Sequence, residues 1–292
     1  MHNNPIHSKQ KLAIARNFSR AANTYNEAAI IQQEIGKRLL ERLDLIKMIP
    51  EIILDLGGGT GAHSLALSHK FPRAKILNVD LAEGMLQFAK PLFPKENPFC
   101  LCADGESLPI QSHSIDFVFS NCTLQWLSDP RAIFAEVRRV LKPNGLFLFS
   151  SFGQDTLKEL KESFAVIDTE KHVNDFADMH DIGDILLHTK FLDPVMDMEI
   201  ITVTYPNLAR LLRDLKMTGA NFVMDSGSRG LSPKNTFDSL TKAYEHYRNL
   251  DNRLPASFEV IYGHAFAPIG TNLHQANDDG TICIPVEDLK RL

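Results

Sequence analysis

The segment Ile52-Ile53-Leu54-Asp55-Leu56-Gly57-Gly58-Gly59-Thr60-Gly61 constrains the fold more than any other part of the chain. A short apolar run enters a loop with glycine at 57, 58, 59 and 61, and a helical pattern from His63 to Phe71 follows. Glycine tolerates positive φ and lets a backbone approach a ligand closely. A strand that passes through such a loop into a helix therefore predicts a ligand site at the carboxyl end of a parallel strand. The loop alone leaves the ligand open. Gly57, Gly59 and Ala62 also satisfy the relaxed dinucleotide pattern G-x-G-x-x-A, so a nicotinamide or flavin dinucleotide has to be weighed.

Beyond the loop, strand and helix alternate. Ala74 to Leu81 reads as a strand ending at Asp80, Glu83 to Lys90 as a helix, Phe99 to Cys102 as a third strand and Ile115 to Ser120 as a fourth. Asp129-Pro130 starts a helix to about Leu141, with an N-cap residue followed by proline at the first helical position. Lys142-Pro143-Asn144-Gly145 reads as a turn before a fifth strand, Leu146 to Ser151. This order predicts an α/β fold with a doubly wound, mostly parallel sheet covered by helices on both faces.

Farther on, Thr156 is expected to cap a helix bearing Leu157, Leu160, Phe164 and Ile167. His180 to Thr189 reads as a helix, and Val195 to Thr204 and Phe258 to Phe266 as strands. Two helical stretches lie between those strands, Asn207 to Thr218 and Pro233 to Arg248, joined by a Gly/Ser-rich loop around Asp225 to Gly230. At the start of the chain Ile14, Phe18, Ala21 or Ala22, and Tyr25 share a helical face, and Ile31, Ile35, Leu39 and Leu43 mark a second helix. The expected organisation is an N-terminal helical lid segment (1–49), a core (50–204 and 254–292) and an inserted helical lid (205–253).

Composition narrows the class. With 44% hydrophobic and 23% charged residues, the 292-residue chain reads as an ordinary globular protein, and no apolar run reaches the roughly 20 residues of a membrane span. A net charge of -5 argues against nucleic acid as a partner, so an anionic partner needs a local basic patch. Arg210, Arg213, Lys216, Arg229 and Lys234 in the insertion supply one, although a basic helix is also a common solvated face. Lys9, Lys11, Arg16 and Arg20 without an acid resemble a mitochondrial transit peptide, but the helical spacing favours an amphipathic helix. Cys100, Cys102, Cys122 and Cys283 fit neither a zinc nor a disulfide pattern; they are expected to be reduced and buried, in a cytoplasmic protein without metal.

Three acids point to the ligand. Asp55 at the mouth of the loop would repel a pyrophosphate and suits a ligand with an ammonium group, such as the methionyl end of S-adenosylmethionine. Asp80, 19 residues past Gly61, is placed to accept from ribose hydroxyls, and Asp104 from an adenine amino group. Asn121, ending the fourth strand, is expected near the reactive end of the ligand. The expected cofactor set is Asp55, Gly57, Gly59, Gly61, Asp80, Leu81, Asp104, Gly105 and Asn121, with Trp126, the only tryptophan, as a cation-π wall for the sulfonium.

The pattern Asp-Leu-Gly-Gly-Gly-Thr-Gly with Asp80, Asp104 and the strand from Asp116 to Asn121 resembles the class I S-adenosylmethionine-dependent methyltransferases, over roughly residues 50 to 150. That resemblance implies a seven-stranded sheet whose final strand, Phe258 to Phe266, is reversed. Other segments carry a narrower likeness, among them Phe18-Ser19-Arg20-Ala21-Ala22-Asn23-Thr24-Tyr25, Leu124-Gln125-Trp126, Asp178-Met179-His180-Asp181 and Tyr262-Gly263-His264-Ala265. These resemble the malonyl-acyl-carrier-protein O-methyltransferases of biotin synthesis from about Ala15 to Pro268. Gly58, where many members have cysteine, is a departure expected to leave the backbone path intact.

The resemblance implies methyl transfer to the free carboxylate of malonyl-acyl carrier protein, an acidic partner for the basic insertion. Tyr25 is then the candidate orienting donor and Arg213 the candidate carboxylate partner, while His180 reads as a structural helix residue. The alternative is a related arginine hydroxylase, or a non-catalytic assembly factor, for respiratory complex I, which shares the cofactor motifs.

Overall fold

The computed structural model describes residues 5–93, 99–126, 129–219 and 234–269. Two helices open the chain, α1 (Pro5–Ala28) and α2 (Ile30–Arg42), broken only at Ala29. The alternating part follows as β1 (Ile52–Leu56), α3 (Ala62–Lys70), β2 (Lys75–Asp80), α4 (Glu83–Ala89), β3 (Phe99–Cys102), β4 (Ile115–Ser120), α5 (Pro130–Val140) and β5 (Leu141–Phe152). Then come α6 (Lys158–Ala165), α7 (Met179–His188), β6 (Leu192–Tyr205), α8 (Leu208–Met217), α9 (Lys234–Tyr244) and β7 (Leu254–Phe266). The sheet order is β3-β2-β1-β4-β5-β7-β6; the first five strands run parallel, and β7 is antiparallel to both β5 and β6. The reversed last strand expected from the sequence is therefore present.

Strand alternation builds the two cores that make the sheet doubly wound. Ile53, Phe117, Phe119, Leu146 and Leu148 point to one face and meet Ile35 and Leu39 of α2, Leu67 of α3 and Leu211 of α8. Leu54, Val118, Phe147 and Phe149 point to the other, against Ile133 and Val137 of α5 and Ile182 and Leu186 of α7. Helix starts follow the sequence closely. Asp129 caps α5 through the Arg131 N–H at 2.9 Å, Asp178 caps α7 and Asn207 caps α8.

Three expectations are corrected. The segment Lys142 to Gly145 does not precede the fifth strand but lies inside it, because pairing begins at Leu141↔Ile115 and resumes at Leu146↔Phe117. Asn144 takes φ +61 in the resulting bulge, and Lys142 pairs with Asp116 at 2.7 Å. Thr156 does not cap α6; its hydroxyl donates to the Glu259 carbonyl, and Leu157, at φ +56, precedes the helix. Cys102 is exposed, since β3 is the edge strand and only one side of it is covered, whereas Cys122 is buried. Cys283, Arg229 and the loop Asp225 to Gly230 lie outside the described residues.

Candidate active site

Parallel register brings the carboxyl ends of β1, β2, β3 and β4 to one edge, where one pocket collects most of the expected residues. Gly57, Gly59, Asp80, Leu81, Asp104, Gly105, Asn121, Trp126 and Tyr25 all line it. Its empty space, open solvent included, is about 790 Å³. The walls between the acids are apolar, from Leu56, Val79, Met85 and Ile133.

The loop is held by backbone and by one carboxylate. The N–H groups of Gly57 and Gly58 donate to the Val79 carbonyl at 2.7 and 3.2 Å. Asp80 accepts from Gly59 N–H at 2.9 Å through one oxygen and from Ala82 N–H at 2.7 Å through the other. Burial nonetheless pushes the Asp80 carboxyl up to about 6. Gly59, at φ +54, has open space where a side chain would begin, with the nearest atom 4.0 Å away. Bare backbone facing a pocket rimmed by two acids fits a nucleoside ligand.

Asp55 is not where the sequence puts it. Its carboxylate is 1% exposed, lies beneath the loop outside the pocket lining, and accepts the Ser64 hydroxyl at 2.5 Å. Strand alternation turns it inward, since Leu56 is the β1 residue that reaches the pocket. A Cβ on Gly58 would begin 2.5 Å from Asn78 Oδ1 and 2.7 Å from Asp55 Oδ2. A larger residue at 58 leaves the backbone path intact but requires the ends of the Asn78 and Asp55 side chains to shift. Gly61 (φ +81) precedes α3 and packs on Phe93, also outside the lining.

Burial pushes the Asp55 carboxyl up to about 7, with the Ser64 hydrogen bond opposing and the Asp80 charge adding. A carboxyl whose folded value lies above its unfolded one leaves stability intact below about pH 4 and loses it as pH rises through about 7. Without cofactor, Asp55→Asn is therefore expected to be more stable than the parent at pH 8, by up to about 4 kcal/mol, with the gap closing near pH 4. Urea unfolding of both proteins across that range is the measurement, and a gap independent of pH would contradict the assignment.

Helix α1 roofs the pocket. Lys11, Ile14, Phe18 and Tyr25 line it from above, and Lys11 pairs with Asp104 at 2.7 Å and Glu106 at 2.6 Å. Tyr25 is partly buried, and desolvation together with the nearby Cys122 and Asp80 raises its hydroxyl pKa. Trp126 stands in the wall, not behind β4, with Phe18 edge-on at 5.3 Å. Asn121 ties the end of β4 to α2 and β5, donating to the Gln32 carbonyl at 2.9 Å and accepting from Ser150 at 2.8 Å. Asn26 accepts the Thr60 hydroxyl of the loop at 2.6 Å.

Lys11, Met85 and Thr123 are site residues that sequence reasoning misses. Only the helical face of α1 carries a signal, and Lys11 falls on it one turn before Ile14. Arg213 is not brought to the pocket: it is exposed on α8. His180 is exposed at the start of α7, bonded to Asp178.

The Lys11 pair joins the roof to the pocket rim. Lys11→Met is expected to speed exchange of a nucleoside ligand about fivefold, the release of roughly 1 kcal/mol from a partly exposed pair. Stopped-flow fluorescence of Trp126 reads the rate, and unchanged kinetics would show that the pair does not hold the roof down.

A family profile described as a methyltransferase domain matches residues 54–149. The YcgJ protein of Bacillus subtilis has the same fold, with a TM-score of 0.57 at 16% identity, covering 80% of this chain and 98% of that one. Sheet order, glycine loop and profile together define a class I S-adenosylmethionine-dependent methyltransferase. Malonyl-acyl-carrier-protein O-methyltransferase of Gallionella capsiferriformans is 43% identical over 281 residues, 94% of this chain and 95% of that protein. The enzyme of that name from Methylovorus sp. is 43% identical over 88% of this chain and 89% of its own length. The chain belongs to the malonyl-acyl-carrier-protein O-methyltransferase family.

Proposed function

We propose that the chain transfers the methyl group of S-adenosylmethionine to the free carboxylate of malonyl-acyl carrier protein, giving the methyl ester that primes pimeloyl synthesis for biotin. The observation that carries this reading is the 43% identity to a protein of that name over 94% of the chain. Those relatives lend no support to an arginine hydroxylase or an assembly factor. When bound, the cosubstrate supplies an electrophilic methyl group on a cationic sulfur.

Asp80, Leu81, Asp104 and Gly105 are the residues suited to its nucleoside, and Asn121, Trp126 and the loop glycines to its methionyl sulfonium end. Asp55 acts from beneath the loop, by shaping it and by its charge. The acceptor carboxylate, which ordinarily titrates near pH 4, is ionised at neutral pH, so no general base is required. What the protein must provide is alignment and a dry site, which in the best-oriented reactions is worth roughly 7 to 11 kcal/mol. Ile14, Phe18 and Tyr25 of the roof exclude water, and Tyr25 is the donor that orients the acceptor.

Of the two expected lid segments, 1–49 and 205–253, helices α1 and α8 are the parts suited to close over the site. Arg213 and Lys216, exposed on α8, suit the acidic surface of the carrier better than the malonyl carboxylate itself. The test is incubation with methyl-labelled S-adenosylmethionine and malonyl-acyl carrier protein. Label is expected in a base-labile ester that forms with malonyl but not with acetyl carrier, and its absence would sink the reading.

A further inference from the structure

A second groove opens next to the cofactor pocket, and its composition differs. Its floor is apolar, from Ala28, Ile30, Ile31 and Val203, and its walls carry Arg210 and Arg253. Ile30 is 65% exposed there, an unusual state for isoleucine at the start of a helix. Arg253, just before β7, is pinned to β6, donating through Nε to the Thr204 hydroxyl at 2.8 Å and through Nη2 to the Thr204 carbonyl at 2.5 Å. Among the described residues it has no acidic partner. Arg210 pairs with Asp214 at 3.1 Å along α8 and remains half exposed. Two guanidinium groups against one carboxylate leave the groove cationic.

The groove and the cofactor pocket lie along the same helix, α1. Helices α1 and α8 lie antiparallel: Gly219, just past α8, meets Asn17 and Phe18, the Thr24 hydroxyl donates to the Met217 carbonyl, and Ala28 shares the groove with Arg210. Phe18 and Tyr25 line the cofactor pocket at one end of this seam, and Ala28 lines the groove at the other. From Met217 back to Arg210 is seven helical residues, about 10 Å at 1.5 Å each. A substrate whose reacting end lies beneath Tyr25 and whose far end carries a phosphate would follow this seam.

We infer that the groove binds the phosphopantetheine arm of the acyl carrier, with Arg210 and Arg253 taking its phosphodiester and the apolar floor taking the arm. The inference rests on the carrier-dependent reading above. Guanidinium groups suit this task because their planar N–H pairs match phosphate oxygens. The arm, tethered to a carrier, makes the phosphate a fixed distance from the thioester, so the groove measures the length of the substrate as well as its charge.

Three acceptors separate the terms: malonyl-acyl carrier protein, malonyl-phosphopantetheine and malonyl-pantetheine, which lacks the phosphate. For Arg253→Gln and Arg210→Gln, KM is expected to rise about tenfold with the first two acceptors, kcat to stay within twofold, and kcat/KM for malonyl-pantetheine to be unchanged. Cofactor affinity and melting temperature of each variant report folding, and Arg210, exposed on its helix, supplies the variant least prone to misfold. An equal loss with malonyl-pantetheine, or no loss with any acceptor, overturns the groove assignment while the functional reading stands. A parent enzyme that binds S-adenosylmethionine but methylates none of the three overturns both.

Discussion

Replacing Gly57 by alanine is expected to lower stability by about 2–5 kcal/mol and to abolish measurable cofactor binding. Two costs add. Gly57 has φ +72, a left-handed conformation that costs an L-residue roughly 1–2 kcal/mol. A Cβ there would also begin 2.1 Å from Thr123 Oγ1, 2.4 Å from its Cγ2 and 2.7 Å from its Cβ, and such overpacking costs about 1–3 kcal/mol more. Thr123 has little room to retreat. It follows Cys122, itself at φ +51, and its hydroxyl bonds the Asn121 carbonyl at 3.2 Å. Either the loop or Thr123 must shift, and both line the pocket. Gly59→Ala is the control, since its Cβ would meet nothing closer than 4.0 Å and only the φ cost applies. Urea unfolding and calorimetric titration with S-adenosylmethionine measure both effects, and a Gly57→Ala protein of parental stability and affinity would contradict the packing argument.

Asp80→Ala should weaken cofactor binding at least about 100-fold. The carboxylate is the acceptor for Gly59 N–H and for Ala82 N–H, and each such donor left unpaired in a buried place costs about 1–3 kcal/mol. The loop would open toward whatever acceptor it could find, so the ligand loses both its acceptor and the shape of its cradle. Asp80→Asn keeps one acceptor oxygen and is expected to fall between parent and alanine in titration calorimetry. Equal affinity for all three proteins would show that Asp80 neither shapes the loop nor touches the ligand.

The acids also show how much of the site is legible in sequence. Asp80 is marked by its spacing to the glycine loop and lines the pocket as expected, whereas Asp55, marked by the same reasoning, does not. They differ in direction. A strand turns alternate side chains to opposite faces, and the end of β1 turns the buried Leu56 toward the pocket while holding Asp55 beneath the loop. Sequence places both acids at strand ends; it does not say which way each points. Lys11 is hidden for another reason, because its partners Asp104 and Glu106 lie more than ninety positions away. A lysine on an amphipathic helix carries no mark of a distant acid.

What this chain's sequence determined by itself is the alternation of strand and helix, the glycine loop between β1 and α3, and the cap at Asp129. Each depends on residues within a turn or two of one another, so short-range periodicity and backbone sterics suffice. Tertiary structure decided that Lys142 to Gly145 would bulge within β5, that Thr156 would turn to Glu259, and that α1 would roof the pocket with Lys11 and Tyr25. It also decided that Arg253, rather than Arg213, would share the groove with Arg210. Those outcomes depend on which strands pair and which helices dock, and the interactions that choose among them join residues far apart in the chain.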